Sequence, residues 1–277
     1  MLGLVLINGY CMKKITLLLP LFCVFLFLSG CLDTGCCSEP DIDPVKLKQD
    51  AYSLQRISVL QHSINDPIIG FKAALTSEQE QDAFNVDEPL VGALFLSGFS
   101  RGRTIYLLNK FQDLRLELEL GYILRKPITK PITKEQLPQY IKAMAPIVEL
   151  PNIRFARKEQ MTPVTLITSN VASNHFIMGA TRPFAPELIN DYQASLSKNG
   201  VIINQGVATD AMGDQKEALV WMINRLLQAG YQLNQDHLLI TGALGTMMRA
   251  EKGQYEAQFG TDLSNEDTIS VIAFSVR

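Results

Sequence analysis

Leu114-Arg115-Leu116-Glu117-Leu118-Glu119-Leu120 alternates apolar and polar residues without a break. In a β-strand successive side chains point to opposite faces. The leucines therefore take one side and Arg115, Glu117 and Glu119 the other, with the Cα atoms of the two glutamates about 7 Å apart. By itself the segment is equally well the solvated, charged face of a half-exposed strand. The strand-like run extends over 114–124, and further ones lie at 93–97, 104–108, 164–169, 175–179, 200–209, 237–241 and 268–276. Helix signals are fewer. Asp43 followed by Pro44 opens one that runs to about residue 61, with Leu47, Ala51, Leu54 and Ser58 on one side. Ser77-x-x-Glu80 and Thr133-x-x-Gln136 are capping-box patterns, the second with Pro138 awkwardly inside it. The clearest helix is 215–229, capped by Asp214, apolar at Leu219, Met222, Ile223 and Leu226, and followed by Gly230. Strands and helices do not alternate regularly, which points to a mixed, β-rich α+β fold rather than a doubly wound parallel sheet.

Two isolated charges stand out beyond this strand. Glu149, in Ala145-Pro146-Ile147-Val148-Glu149-Leu150, is a lone acid in an apolar stretch, where an unpaired charge is costly. Lys72, in Gly70-Phe71-Lys72-Ala73-Ala74-Leu75, is a lone cation in similar company, and a lysine that extends its aliphatic stem to reach water explains it equally. Three carboxylates converging on one point suit a hard divalent cation such as Mg²⁺ or Mn²⁺. Only three histidines occur, at 62, 175 and 237, too scattered for a histidine-built zinc site. A net charge of −3 argues against a nucleic-acid partner. Gly98-Phe99-Ser100-Arg101-Gly102 matches the G-x-S-x-G pattern of serine hydrolases, but strand-like residues follow it where that elbow needs a helix, so it reads as a turn between strands.

In chain order, Gly70-Phe71-Lys72-Ala73-Ala74-Leu75-Thr76, Val86-Asp87-Glu88-Pro89-x-x-Gly92, Glu117-x-Glu119 and Pro146-x-x-Glu149-Leu150 resemble the motifs of the 2-keto-4-pentenoate hydratase branch of the fumarylacetoacetate hydrolase superfamily. The likeness continues through Asn170-x-x-Ser173, Phe176-Ile177-Met178-Gly179, Asn199-Gly200, Trp221 and Leu239-Ile240-Thr241-Gly242. It implies a mixed β-rich roll with peripheral helices. It also implies Mg²⁺ or Mn²⁺ held by Glu117, Glu119 and Glu149, Lys72 as the catalytic residue beside the pocket, and Ser173 and Thr241 at the substrate. The implied activity is that of a hydratase or decarboxylase on a small 2-hydroxydienoate or 2-oxo-enoate, bound as a 2-oxo acid, and the resemblance leaves room for a homo-oligomer. One departure matters. The hydratase branch usually carries Pro-Asp-x-Gly where this chain has Pro89-Leu90-Val91-Gly92, and leucine can neither move a proton nor orient water. A non-catalytic protein that binds or senses a 2-oxo acid therefore stands beside the enzyme as the alternative.

Ahead of this body, Met12-Lys13-Lys14 precedes an apolar run at 15–28 (ITLLLPLFCVFLFL) that is shorter than the roughly 20 residues of a membrane-crossing helix. It reads as a secretion signal, with translation starting at Met12. Leu28-Ser29-Gly30-Cys31 resembles the lipobox of bacterial lipoproteins, which implies a lipid on Cys31 and a mature protein beginning there; an uncleaved anchor helix is the other reading. The expected organisation is a lipoprotein signal peptide at 1–30, a tether at 31–43 and a fumarylacetoacetate hydrolase-like domain at 44–277. The lipid would hold the protein to the membrane on the periplasmic side of the bacterial envelope, with Leu32 after Cys31 favouring the outer membrane. The five cysteines lie at 11, 23, 31, 36 and 37, so the body relies on an ordinary core rather than disulfides. Cys36 and Cys37 could be acylated, pair between chains or do neither.

Overall fold

The computed structural model describes residues 43–264 and 270–277. The expected signal peptide at 1–30, Cys31 and all of the expected tether except Asp43 lie outside the described residues. Among the described residues thirteen strands are present in chain order: β1 (Ile68–Ala74), β2 (Leu90–Phe95), β3 (Phe99–Ser100), β4 (Ile105–Tyr106), β5 (Arg115–Leu124), β6 (Ile141–Leu150), β7 (His175–Met178), β8 (Arg182–Pro183), β9 (Gln193–Lys198), β10 (Val201–Val207), β11 (Leu238–Arg249), β12 (Gly253–Gly260) and β13 (Ser270–Val276). With them run the helices α1 (Pro44–Ser63), α2 (Glu78–Phe84), α3 (Leu137–Tyr140), α4 (Pro163–Thr168) and α5 (Gln215–Gln228). The larger sheet has the order β2-β1-β11-β5-β6-β7-β3, with β8 beside β6; the smaller has the order β10-β9-β12-β13-β4. This is the mixed, β-rich α+β architecture expected from the sequence.

The larger sheet curls on itself. Its outermost strand, β2, would expose a row of unpaired backbone groups. At Ala93 these groups are met by Asn170, whose side-chain amide accepts from the Ala93 N–H at 2.7 Å and donates to the Ala93 carbonyl at 2.9 Å. Ser173 adds a hydroxyl donor to the same carbonyl at 2.8 Å. Because Asn170 and Ser173 lead into β7, they bring the two ends of the sheet together. Asn170, Val171 and Ala172 all have left-handed backbone φ values between 52° and 57°, a strained conformation held by these bonds. Gly92 is required here, since a Cβ would sit 2.8 Å from the Asn170 carbonyl oxygen.

Inside the curl a small apolar group of Leu94, Ala145, Ile147, Phe176, Met178, Leu238 and Ile240 forms a floor. The opposite face of the sheet joins the main core, which includes Phe71, Leu116, Leu118, Leu120 and Tyr122 together with Leu219, Met222, Ile223 and Leu226 of α5. The α5 helix starts and stops as expected: Asp214 accepts from the Lys216 N–H at 2.8 Å, and Gly230 takes a left-handed φ of 81°.

Several local expectations are corrected. Helix α1 buries Ala51, Tyr52, Gln55 and Val59, whereas Leu47 and Leu54 are exposed. Polar anchoring sets that rotation: Gln55 donates to the carbonyls of Val91 and Ile167 at 2.9 Å each, and the Tyr52 hydroxyl accepts from the Val91 N–H. The run 164–169 is helix α4 rather than a strand, because Thr162 caps it by accepting from the Thr165 N–H and Pro163 fits its first turn. Pro138 is likewise accommodated in the first turn of α3. Strands β1 and β6 went unseen because both faces are covered along much of their length, which removes the alternation that marks a half-exposed strand. β9 and β12, in the smaller sheet, were also unexpected.

Candidate metal centre

Strand register assembles the charged cluster. β5 and β6 run antiparallel with Glu117 opposite Glu149 and Glu119 opposite Ile147, so the three carboxylates share the inner face of the curl. Lys72, on β1, pairs with Ile240 of β11 on one side and Gly92 of β2 on the other. Its ammonium lies 2.5 Å from Glu149 Oε2 and 4.0 Å from Glu117 Oε2. One oxygen from each of Glu117, Glu119 and Glu149 falls within 4.8 Å of the others. The cluster is nearly sealed: side-chain exposure is 2% for Lys72, 0% for Glu149 and 12% for Glu117.

Glu119 is steered by the backbone, accepting the Gly242 N–H at 2.7 Å through Oε2. Gly242 has φ 113°, and a Cβ there would lie 2.2 Å from the Thr76 hydroxyl oxygen, so only glycine fits this position. Sequence reasoning passed over the Gly242 N–H as a site group, although Thr241-Gly242 was part of the motif. At the open end of β6, Asn152 Oδ1 accepts from the N–H groups of Gln112 and Asp113, and its own N–H donates to the Ala172 carbonyl. It thereby ties the end of β6 to the chain entering β5 and to the closing turn.

Three acids against one lysine leave an excess of negative charge in a buried place, and the protonation states reflect it. Burial pushes the Glu117 carboxyl up to about 8; Lys72 opposes the shift, while Glu149 and Glu80 add to it. Burial and then Glu149 push Glu119 well above the ordinary carboxylate range. Burial works against the charge on Lys72, but Glu149, Glu117 and Glu119 outweigh it and hold the ammonium above its usual pKa. Glu149 Oε1 is buried with no hydrogen-bond partner. An all-oxygen set with surplus negative charge and an orphaned carboxylate oxygen fits a hard divalent cation.

The other expected site residues lie differently. Thr241 is fully buried, and its hydroxyl donates to Gln215 Oε1 at 2.7 Å in a network that includes the Tyr122 hydroxyl. This places its hydroxyl in the packing behind the sheet and not among the acids. Ser173 is likewise engaged with the Ala93 carbonyl at the closing turn and is not brought to the carboxylates. Leu90 is fully buried at the start of β2, opposite Ala74, and packs in the main core. Ser100 lies on β3 with its hydroxyl 2.8 Å from that of Tyr106 and no helix behind it, as the turn reading requires. His175 packs edge-on against Tyr106 and Phe111, and burial lowers its pKa.

The curled sheet with helices outside is a fold of the fumarylacetoacetate hydrolase type. It superposes on 4-oxalocrotonate decarboxylase from Pseudomonas putida G7, solved with magnesium and adipate, with a TM-score of 0.74 at 18% identity over 83% of this chain and 86% of that one. A fumarylacetoacetate hydrolase family protein from yeast matches with a TM-score of 0.55 at 14% identity over 75% of this chain and 91% of that one. No family model matches the chain. Among curated proteins it is similar to a 2-keto-4-pentenoate hydratase of Paraburkholderia xenovorans, 29% identical over 74% of this chain and 77% of the relative. It is also similar to a 2-oxo-hept-4-ene-1,7-dioate hydratase of Escherichia coli, 28% identical over 80% of this chain and 85% of the relative.

Proposed function

We propose that the protein is a metal-dependent lyase, a hydratase or decarboxylase, that acts on a small 2-hydroxydienoate or 2-oxo-enoate. The buried Glu117–Glu119–Glu149 cluster around Lys72, with its unpartnered Glu149 oxygen, carries this reading, and similarity to hydratases supports it. The three glutamates would hold Mg²⁺ or Mn²⁺. When bound, such a cation offsets the negative charge that develops on a 2-oxo acid as a proton leaves the carbon beside its keto group.

The remaining work falls to side chains of the chain. Lys72 is fixed against Glu149 and carries a proton that it can donate to bound substrate. Leu94, Ile147, Phe176 and Met178 keep the floor dry. Position 90 offers a leucine and no proton, so enolisation or decarboxylation is favoured over adding water to a remote double bond. The same leucine is the observation that favours a second reading, a non-catalytic protein that binds a 2-oxo acid.

Solvent deuterium exchange separates the two. With Mn²⁺, the purified protein should exchange hydrogen at the carbon next to the keto group of 2-oxobutyrate, and Lys72→Ala should slow this by about 10²-fold. Hydration of 2-hydroxypenta-2,4-dienoate should be weak and should improve in Leu90→Asp. Binding of the acid without exchange above the Lys72→Ala background would leave only the binding protein. We further propose that the protein is lipid-anchored through Cys31 in the bacterial envelope, on the periplasmic side and with the outer membrane favoured. Cys31→Ala should then leave the membrane fraction or accumulate as precursor, and normal maturation of that variant would end the idea.

A further inference from the structure

Helix α1 carries apolar residues on two sides. The body covers one, through Ala51, Tyr52, Gln55 and Val59. On the other, Leu47, Leu54, Ile57 and Ile64 are between 40% and 80% exposed. Ile64 follows the last residue of α1 and keeps helical backbone angles, φ −61° and ψ −36°, so it continues the helix surface. At 3.6 residues per turn these four side chains form one stripe about 26 Å long, turned by roughly 145° from the buried side. Single exposed leucines are ordinary, whereas a continuous apolar stripe marks a docking surface.

The order of residues in the stripe says what fits it. It reads Leu47, Asp50, Leu54, Ile57, Gln61, Ile64, with spacings that alternate between three and four residues, the pattern of helix-on-helix packing. Asp50 and Gln61 are exposed and make no hydrogen bond or ion pair with other described residues. Read backwards, the stripe has the same spacings and the same order of apolar and polar positions. A second copy of α1 laid antiparallel across the first therefore sets Leu47 against Ile64, Leu54 against Ile57 and Asp50 against Gln61, each pair occurring twice about a two-fold axis that passes between Gln55 and Arg56. The Gln61 amide can donate to the Asp50 carboxylate, and the helix dipoles oppose one another favourably. Sliding the pair by seven residues sets Asp50 against Leu54 in one direction and Gln61 against Ile57 in the other, so a single register is preferred. A helix that lies on a lipid surface is instead rich in Lys and Arg and has no use for an acid within its apolar stripe, where Asp50 stands.

We propose that the exposed stripe of α1 docks on the same stripe of a second copy of this chain, forming a two-fold dimer through an antiparallel helix pair. A strip about 26 Å long and about 10 Å wide removes on the order of 1,000 Å² of surface from the two partners together, the lower end for a specific interface, so the dimer forms and dissociates reversibly. None of these residues belongs to the metal centre, so the dimer does not depend on the lyase reading.

The test is sedimentation velocity on the full-length protein in detergent, with micelles in excess over protein. The wild type should show a reversible monomer–dimer equilibrium with a dissociation constant of about 10–100 µM. Leu54→Lys combined with Ile57→Lys puts two cations from each copy at the centre and should leave only monomer, with an unchanged thermal unfolding midpoint because both side chains already face solvent. Gln61→Lys tests the register: it meets Asp50 of the second copy twice and should tighten the dimer by about threefold or more. Asp50→Lys together with Gln61→Lys should abolish it. Monomer alone in the wild type, a dimer that survives the Leu54→Lys and Ile57→Lys pair, or a dimer unchanged or loosened by Gln61→Lys overturns the proposal. A monomeric wild type in which that same pair weakens binding to vesicles of phosphatidylethanolamine and phosphatidylglycerol assigns the stripe to a lipid surface instead.

Discussion

Two kinds of ion pair occur in this protein. Some surface groups match one to one: Lys142 meets Asp236 and Lys198 meets Glu251, with the acids largely open to solvent. Inside the curl, one lysine faces three glutamates under almost complete burial. Water and dissolved salt screen the surface pairs, so little depends on their balance. Nothing screens the inner cluster, and without a cation its surplus charge is relieved only by the protons that Glu117 and Glu119 hold. A buried arrangement that is incomplete by itself is costly to folding, and it makes chemical sense as a receptor for a cation.

The largest expected effect comes from removing the cation that lies against the buried glutamates. Lys72→Met should destabilise the metal-free protein by about 3–5 kcal/mol, the usual cost of leaving buried charge unpaired. Urea unfolding with a chelator present measures this, and added Mn²⁺ should restore much of the loss. A loss no greater than the about 1 kcal/mol of an exposed pair would erase the contrast between the two regions.

Next in size is Glu119→Gln, which leaves the Gly242 N–H an acceptor but takes one negative charge from the set. Mn²⁺ affinity by calorimetry should fall by at least about tenfold. Unchanged affinity would mean that the three acids do not act as one site.

A pH effect follows from the raised carboxyls. Glu117 titrates at about 8 in the folded protein against an ordinary 4.5, so the folded state holds its proton more tightly than the unfolded chain does. The corresponding stabilisation is complete below the ordinary value and is lost as pH rises through about 8, and Glu119 acts in the same direction. His175 and His237, lowered by burial, act oppositely but only up to their ordinary 6.5. The unfolding midpoint of the chelated protein should therefore fall between about pH 6.5 and 8, and saturating Mn²⁺ should flatten the slope because bound carboxylates stay ionised. A flat chelated profile would show that the inner acids are solvated like the outer ones.

The smallest effect sharpens the other side of the comparison. Lys142→Ala removes an exposed pair with Asp236 and should leave the thermal unfolding midpoint unchanged within error.

The candidate site could be read unevenly from the sequence, for physical reasons. Glu117 and Glu119 were visible because β5 has one apolar and one polar face, and only a strand turns such alternation into two carboxylates on one side. Glu149 and Lys72 showed as lone charges in apolar company, but the strands that carry them did not show, since a strand covered on both sides has no periodic pattern. The run 164–169 misled because its β-branched residues resemble a strand, while Thr162 and Pro163 in front of it start a helix. Thr241 was part of a recognisable motif, yet Gln215 takes its hydroxyl, and its neighbour Gly242 contributes the N–H that matters at the cluster.

By itself the sequence determined the composition of the site and the class of fold. A strand-rich chain with few capped helices, three acids and a lysine in apolar surroundings follows from local patterns that need no partner. Only the tertiary structure decided that Glu117 stands opposite Glu149, that Lys72 lies against both and that Asn170 closes the curl on Ala93. Each of these depends on strand order and register, and register is set where distant segments must bury their faces together.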